Sequence, residues 1–148
     1  MKIVFGCDPN AEAEKKVLMD YVKGKGYGEV EDFGSEDPLY AHTAVKVDDA
    51  VTDGEYDRGI LLCGTGIGVS IAANKVKGAY AALASDVYSA QRARLSNDAN
   101  ILCMGAFTTG EKVRELMVSE FLGNEFEPGC ASQPKVDAFV SYDASRGQ

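Results

Sequence analysis

Short apolar runs alternate with helically spaced apolar positions along almost the whole chain. "KIVFGCD" (2–8) is apolar until it meets Gly6 and Asp8, and it predicts a buried strand. Residues 11–25 place Ala13, Val17 and Tyr21 on one helical face, with Leu18 and Val22 beside it, and Gly24 and Gly26 end that helix. "EVEDFG" (29–34) alternates as a second strand. Asp37-Pro38 reads as an N-cap and first-turn proline opening a helix to about Val51. "RGILLCG" (58–64) is a continuous apolar strand, followed by a helix over about 67–75. "AYAALA" (79–84) is the next strand, and Asp86 caps a helix to about Leu95. "NILCMG" (100–105) is the fifth strand. Thr108 and Glu111 have capping-box spacing before a helix that buries Val113, Leu116, Met117 and Phe121. A linker with Pro128 and Gly129 leads to a last helix from about Gln133, carrying Val136, Phe139 and Val140 on its apolar face.

The order is a strand and a helix five times over, then one more helix. Continuous apolar strands between helices imply a parallel sheet covered on both faces. The expected fold is α/β: a five-stranded, doubly wound, Rossmann-like three-layer sandwich in one domain, residues 1–148. Its C-terminal helix, about 133–146, hangs from the linker and is expected to pack on a partner subunit. In such folds the ligand lies at the carboxyl ends of the strands, near a switch in strand order. Asp8-Pro9, Cys63–Gly68, Ser85-Asp86 and Gly105–Thr108 fall on that edge.

Composition narrows the function classes. The 148 residues carry a formal net charge of −8, which argues against an extended basic surface for nucleic acid or acidic membrane. No apolar run approaches the ~18 residues of a membrane span. The four cysteines, Cys7, Cys63, Cys103 and Cys130, form no CxxC pair and there is no export signal, so they read as reduced thiols in the cytoplasm. Three of them lie in or just after apolar runs, where cysteine usually acts as a small buried hydrophobe. The acidic stretch "EVEDFGSEDP" reads as a solvated face, and His42, the only histidine, as a surface residue of its helix.

The stretch richest in candidate chemistry is "ILLCGTGIGVSIAANK" (60–75). Gly64, Gly66 and Gly68 allow a tight turn and a close approach to backbone, and the turn opens a helix whose free N–H groups favour negative charge. Neither a phosphate-binding GxxxxGK[ST] loop nor the dinucleotide GxGxxG fits, because position 69 is valine. Cys63 precedes the turn. A thiol beside a helix N-terminus is a usable base or nucleophile, and it is equally a packed strand-end residue. Asp8 could hold a substrate hydroxyl or cap the following helix. One histidine supplies neither a Cys-His hydrolase pair nor zinc-ligand spacing.

"ILLCGTGIGVSIAANKVKG", the "CD" after the first strand, "DPLYA" and "YSAQRARLSNDANILCMGA" resemble the family of type B ribose-5-phosphate isomerases and galactose-6-phosphate isomerases, over about the whole chain. The resemblance implies an aldose–ketose isomerase that needs no metal or organic cofactor. It implies that Cys63 moves a proton between C1 and C2 through a cis-enediolate, that the amides of Gly64, Gly66 and Gly68 hold the developing oxyanion, and that Thr65 takes part in ring opening. Asp8, Tyr40 and Asn97 match substrate-contacting positions. The implied assembly is a homodimer or a dimer of dimers, with sites at the subunit interface.

The chain departs from the family pattern at four places. Pro9 stands where the family has a histidine after the first strand, and Ser96 where it has the histidine that helps open the sugar ring. Phe107 replaces an arginine after the fifth strand. "PGCASQPK" keeps only Lys135 as a basic match to an arginine-rich segment. Ribose 5-phosphate/ribulose 5-phosphate is the expected substrate pair. Erythrose 4-phosphate/erythrulose 4-phosphate is the alternative, since a tetrose with its 4-hydroxyl esterified closes no stable ring. A non-phosphorylated sugar comes third, and a non-catalytic sugar- or anion-binding protein is the alternative class.

Overall fold

The computed structural model describes residues 1–147. Five parallel strands, β1 (Lys2–Cys7), β2 (Glu29–Asp32), β3 (Arg58–Cys63), β4 (Ala81–Leu83) and β5 (Ile101–Gly105), form one sheet in the order β2-β1-β3-β5-β4. The helices are α1 (Glu12–Lys25), α2 (Tyr40–Thr52), α3 (Ile67–Ala73), α4 (Val87–Leu95), α5 (Glu111–Gly123) and α6 (Gln133–Ser145). Alternate side chains of the inner strands build two cores. Ile3, Phe5, Ile60, Leu62, Leu102 and Met104 pack with α1, α4 and α5. Val4, Leu61, Cys63, Ile101 and Cys103 pack with α2 and α3. Burial on both faces is why these strands read as unbroken apolar runs. No described helix is long and apolar enough to cross a membrane.

From β1 the chain steps to β2 on one side and then to β3 on the other. The connections diverge there and leave a crevice above the carboxyl ends of β1 and β3. The Asp8 N–H donates to Leu62 O at 3.0 Å, so Asp8 and Cys63 flank that crevice.

Several local expectations are corrected. A 3-10 turn at Pro9–Ala11 precedes α1, with Asp8 as its cap. The buried face of α1 is Lys15, Leu18, Met19 and Val22, while Val17 is 43% exposed. Lys15 turns the helix: its ammonium is fully buried and lies 2.6 Å from Asp32 Oδ1. Asp32 is therefore an ion-pair partner and not part of a wholly solvated acidic face. Burial works against its charge, but the bonds from Lys15 and from the Gly34 N–H outweigh it and hold the carboxyl below its ordinary range. α2 starts at Tyr40, because Asp37 accepts from Leu39 N and from His42 Nδ1 and ties the preceding residues into a turn. The capping box at Thr108–Glu111 does not form. The hydroxyls of Thr108 and Thr109 donate back to Gly105 O, and Gly110 is the N-cap of α5. Leu116 is 51% exposed, and Val118 and Leu122 are buried with Met117 and Phe121.

α6 is seated on its own chain. Asp143 accepts from Gly78 N at 2.8 Å and from the Tyr80 hydroxyl at 3.0 Å, and the Phe139 and Tyr80 rings lie 5.3 Å apart.

Asp48 is the unexpected acid. It shares its helix face with Ala44, Val47 and Val51, is fully buried, and has no hydrogen-bond partner on either oxygen among the described residues. Burial, with a smaller contribution from Asp49, pushes its pKa from 3.8 up to about 8. Between those two values the folded chain keeps a proton that the unfolded chain has lost, so stability falls as pH rises through that window. Asp48→Asn should remove that dependence. The gap between variant and wild-type unfolding free energy, measured in urea, should widen by about 1 kcal/mol per pH unit through the middle of the window. Parallel pH profiles would mean that Asp48 is charged in the fold.

Candidate active site

Cys63 is the last residue of β3 and is 6% exposed. The chain turns directly beyond it. The Gly66 N–H donates to Cys63 Sγ at 3.1 Å, which orients the sulfur, and the Thr65 hydroxyl accepts from Ile67 N at 3.2 Å. The next strand braces the turn: Ala106 N donates to Cys63 O at 2.8 Å and Phe107 N to Gly64 O at 2.9 Å. Cys7 and Cys103 are the other two cysteines in the core. Burial pushes the Cys7 thiol up to about 12 and the Cys103 thiol well above its ordinary value.

The three glycines serve two purposes. Only Gly66 has a left-handed backbone, with φ 79°. A Cβ there would lie 2.7 Å from the Met104 carbonyl carbon and from Leu83 Cδ1. At Gly68 a Cβ would fall 2.3 Å from the Tyr40 ring, and at Gly64 it would fall 2.9 Å from the Phe107 ring. Each glycine thus admits one large side chain from a different element: Phe107 from the end of β5, Leu83 from β4 and Tyr40 from the first turn of α2. The spacing of the glycines signalled close approach. Which side chains approach was not legible in it.

Several expected site residues gather at this edge. Asp8 lies across the crevice, its Oδ1 accepting from Asn10 N at 2.8 Å. Tyr40, Gly64, Thr65, Gly66 and Gly68 surround the Cys63 turn. His42 is exposed and engaged with Asp37 at 2.9 Å. Near Asp8 the sequence reading missed buried Lys15. Its signal was a position, i−3 and i−4 from two buried apolar residues, that the residue type concealed.

Ser96, Asn97 and Lys135 are elsewhere. Gly59 pairs with Ile101 and Cys63 with Gly105, so four residues of strand, about 13 Å at ~3.3 Å each, separate the two ends of β3. Ser96 ends α4 beside the amino end, its Oγ accepting from Arg92 Nε at 2.8 Å. Asn97 helps line a cavity of about 400 Å3 with Tyr80, Phe139, Tyr142, Asp143 and Arg146. Lys135 is exposed in the first turn of α6, the helix seated against Gly78 and Tyr80. One chain brings Ser96 and Asn97 to the edge opposite Cys63, and Lys135 lies on α6, outside the turn.

Gly66→Ala should cost at least about 2 kcal/mol in chemical denaturation, since backbone strain and a backbone clash coincide there. Gly24→Ala, in α1 with open space around it, should gain about 0.4–1 kcal/mol. Equal effects at the two positions would contradict this account of the turn.

Comparison with known proteins agrees with the fold. The model of the Ribose/Galactose Isomerase family matches residues 3–139. The chain is 45% identical to a ribose-5-P isomerase B of Listeria innocua, over 97% of each chain. It is 42% identical to D-erythrulose-4-phosphate isomerase 2 of Mycolicibacterium smegmatis, over 98% of this chain and 99% of that one. The solved ribose-5-phosphate isomerase B of Clostridium thermocellum superposes with a TM-score of 0.90 at 38% identity, covering 97% of this chain and 98% of that one. A parallel sheet with a glycine turn after its central strand, matched along nearly its whole length, makes this chain a member of the ribose/galactose isomerase family.

Proposed function

We propose that the protein interconverts the aldose and ketose forms of a small sugar phosphate, with Cys63 as the group that moves the proton. The observation that carries this reading is the placement of Cys63: a nearly buried thiol at the switch-point crevice, with its sulfur held by the Gly66 N–H. Ionised Cys63 would take the C2 proton of the aldose as the C1 carbonyl electrons move onto O1. A proton then passes from O2 to O1, and Cys63 returns its own proton to C1, leaving the ketose. The negative charge that develops on O1 and O2 needs fixed donors. The Gly68 N–H lies in the first turn of α3, where backbone donors have no partner inside the helix. The Gly64 amide and the exposed Thr65 hydroxyl stand beside it, and Asp8 and Tyr40 face the same crevice. Burial pushes the Cys7 and Cys103 thiols up, which makes ionisation of either one costly.

Ribose 5-phosphate is the first substrate to test. A specific observation favours a second reading, a tetrose 4-phosphate. The Ser96 hydroxyl is tied to Arg92, and serine is no general base near neutral pH. A tetrose phosphate needs no ring opening. In either reading the site takes residues from two copies of the chain. A neighbour would carry its own Ser96, Asn97 and Lys135 to the Cys63 edge, in at least a dimer working in the cytoplasm. No step of this chemistry calls for a metal or organic cofactor.

Cys63→Ala should fold normally and lose about 10²- to 10⁴-fold in kcat in a coupled isomerase assay on both sugar phosphates, with loss of solvent deuterium incorporation into the product. Full activity in that variant would remove Cys63 as the base. Mixing Cys63→Ala with Asn97→Ala chains under exchange should restore part of the wild-type rate, because some mixed dimers hold one intact site. No recovery, with exchange demonstrated, would place each site within a single chain.

A further inference from the structure

Phe107 is a large apolar side chain in an expensive place. Its ring is 71% exposed, so it adds little to either core. Yet the ring reaches to 2.9 Å and 3.0 Å of where a Gly64 Cβ would stand, inside ordinary carbon–carbon contact of ~3.5 Å, and only glycine at 64 admits it. The turn beneath it is fixed from several sides. Phe107 N donates to Gly64 O, the Thr109 hydroxyl donates to Gly105 O at 2.6 Å, and the largely buried Arg114 guanidinium donates to the carbonyls of Ala106 and Thr109. A residue that gains little from folding is thus held against the turn that carries Cys63.

On the other side of the turn Tyr40 packs on Gly68 and brings a hydroxyl. The two walls differ: one is an aromatic ring with a polar handle, the other a bare aromatic ring. A substrate seated with C1 and C2 at Cys63 must run its remaining carbons past one of them. Each additional CHOH unit carries a hydroxyl that loses its bonds to water if it is pressed against the Phe107 ring, and phenylalanine offers no replacement.

We propose that Phe107 sets the chain-length limit of this site, favouring four-carbon over five-carbon sugar phosphates. The proposal rests on the sugar-phosphate isomerase reading and adds to it a specificity-determining residue. The discrimination works through the fit of the far end of the substrate, so it appears in KM more than in kcat.

The test compares kcat and KM for erythrose 4-phosphate and ribose 5-phosphate in wild type, Phe107→Ala and Phe107→Leu. Wild type should prefer the four-carbon substrate at least tenfold in kcat/KM. Phe107→Ala should shift the ratio at least tenfold toward the five-carbon substrate, mainly through a lower KM for it. Phe107→Leu, which keeps apolar bulk, should hold the wild-type preference. Because the ring is mostly exposed, both variants should unfold near the wild-type temperature. A wild-type preference for ribose 5-phosphate would overturn the proposal. So would a ratio that moves less than twofold in Phe107→Ala, or a folded Phe107→Ala that is inactive on both sugars. Cys63→Ala assayed on the same pair separates the two ideas: its full activity sinks the proposed base, while the substrate ratio in the Phe107 variants still reads chain length.

Discussion

The candidate site depends on one close approach of backbone to backbone. The turn after β3 lies against the end of β5 so tightly that a Cβ on Gly66 would strike the Met104 backbone. A Cβ on Gly105 would stand 2.6 Å from the Thr65 carbonyl carbon and 2.7 Å from Gly64 O. Two glycines, one in the turn after β3 and one at the end of β5, make that contact possible, and the bonds from Ala106 to Cys63 and from Phe107 to Gly64 close it. Cys63 then points where it does because the chain has no other way to turn. The Gly66 amide reaches its sulfur only from this geometry. A turn held by rigid backbone would suit the proton transfer proposed for Cys63.

The carboxyl edge also holds a buried ion pair. Lys15 puts a fully buried ammonium beside Asp32, near Cys7 and the Asp8 cap. Removing one partner of such a pair leaves the other charge without compensation, which usually costs more than the pair itself contributes. Here the pair also shapes the chain: it turns the buried face of α1 and holds Asp32, whose Oδ1 accepts from Gly34 N at 2.8 Å at the start of the segment leading to Tyr40. Asp48 shows the opposite arrangement on the other face of the sheet. It has no hydrogen-bond partner among the described residues, so burial is met by keeping the proton.

The expected site residues separate into two groups about one strand length apart. Asp8, Tyr40 and the 63–68 turn lie at the carboxyl edge, Ser96 and Asn97 lie toward the amino edge, and Lys135 lies on α6. A helix that follows a strand in a doubly wound fold runs back antiparallel to it, so residues ending α4 must arrive at the edge opposite the turn. That constraint of topology is the ground for proposing that a second copy supplies Ser96, Asn97 and Lys135 to the Cys63 edge. The face of α6 seated on Tyr80 also leaves Tyr142 exposed at the rim of the cavity there.

Much of this was legible in the residues themselves. The unbroken apolar runs of β1, β3 and β5 announced a sheet buried on both faces. The glycines at every second position after Cys63 announced a backbone that something approaches closely. Leu116 was misplaced, and Lys15 and Asp48 were missed, because residue type was taken as a guide to burial, and a charged group can be buried wherever a partner or a retained proton compensates it. The false capping box at Thr108 had the right spacing, but its hydroxyl found a carbonyl at Gly105 first. The sequence by itself determined the order of elements, the strand-end cysteine and the family, because periodicity and local motifs are properties of neighbouring residues. Tertiary structure alone decided that Phe107, Leu83 and Tyr40 meet the three glycines and that Asn97 lies away from Cys63. Those contacts join elements far apart in the chain, and only the parallel register of the sheet fixes which of them meet.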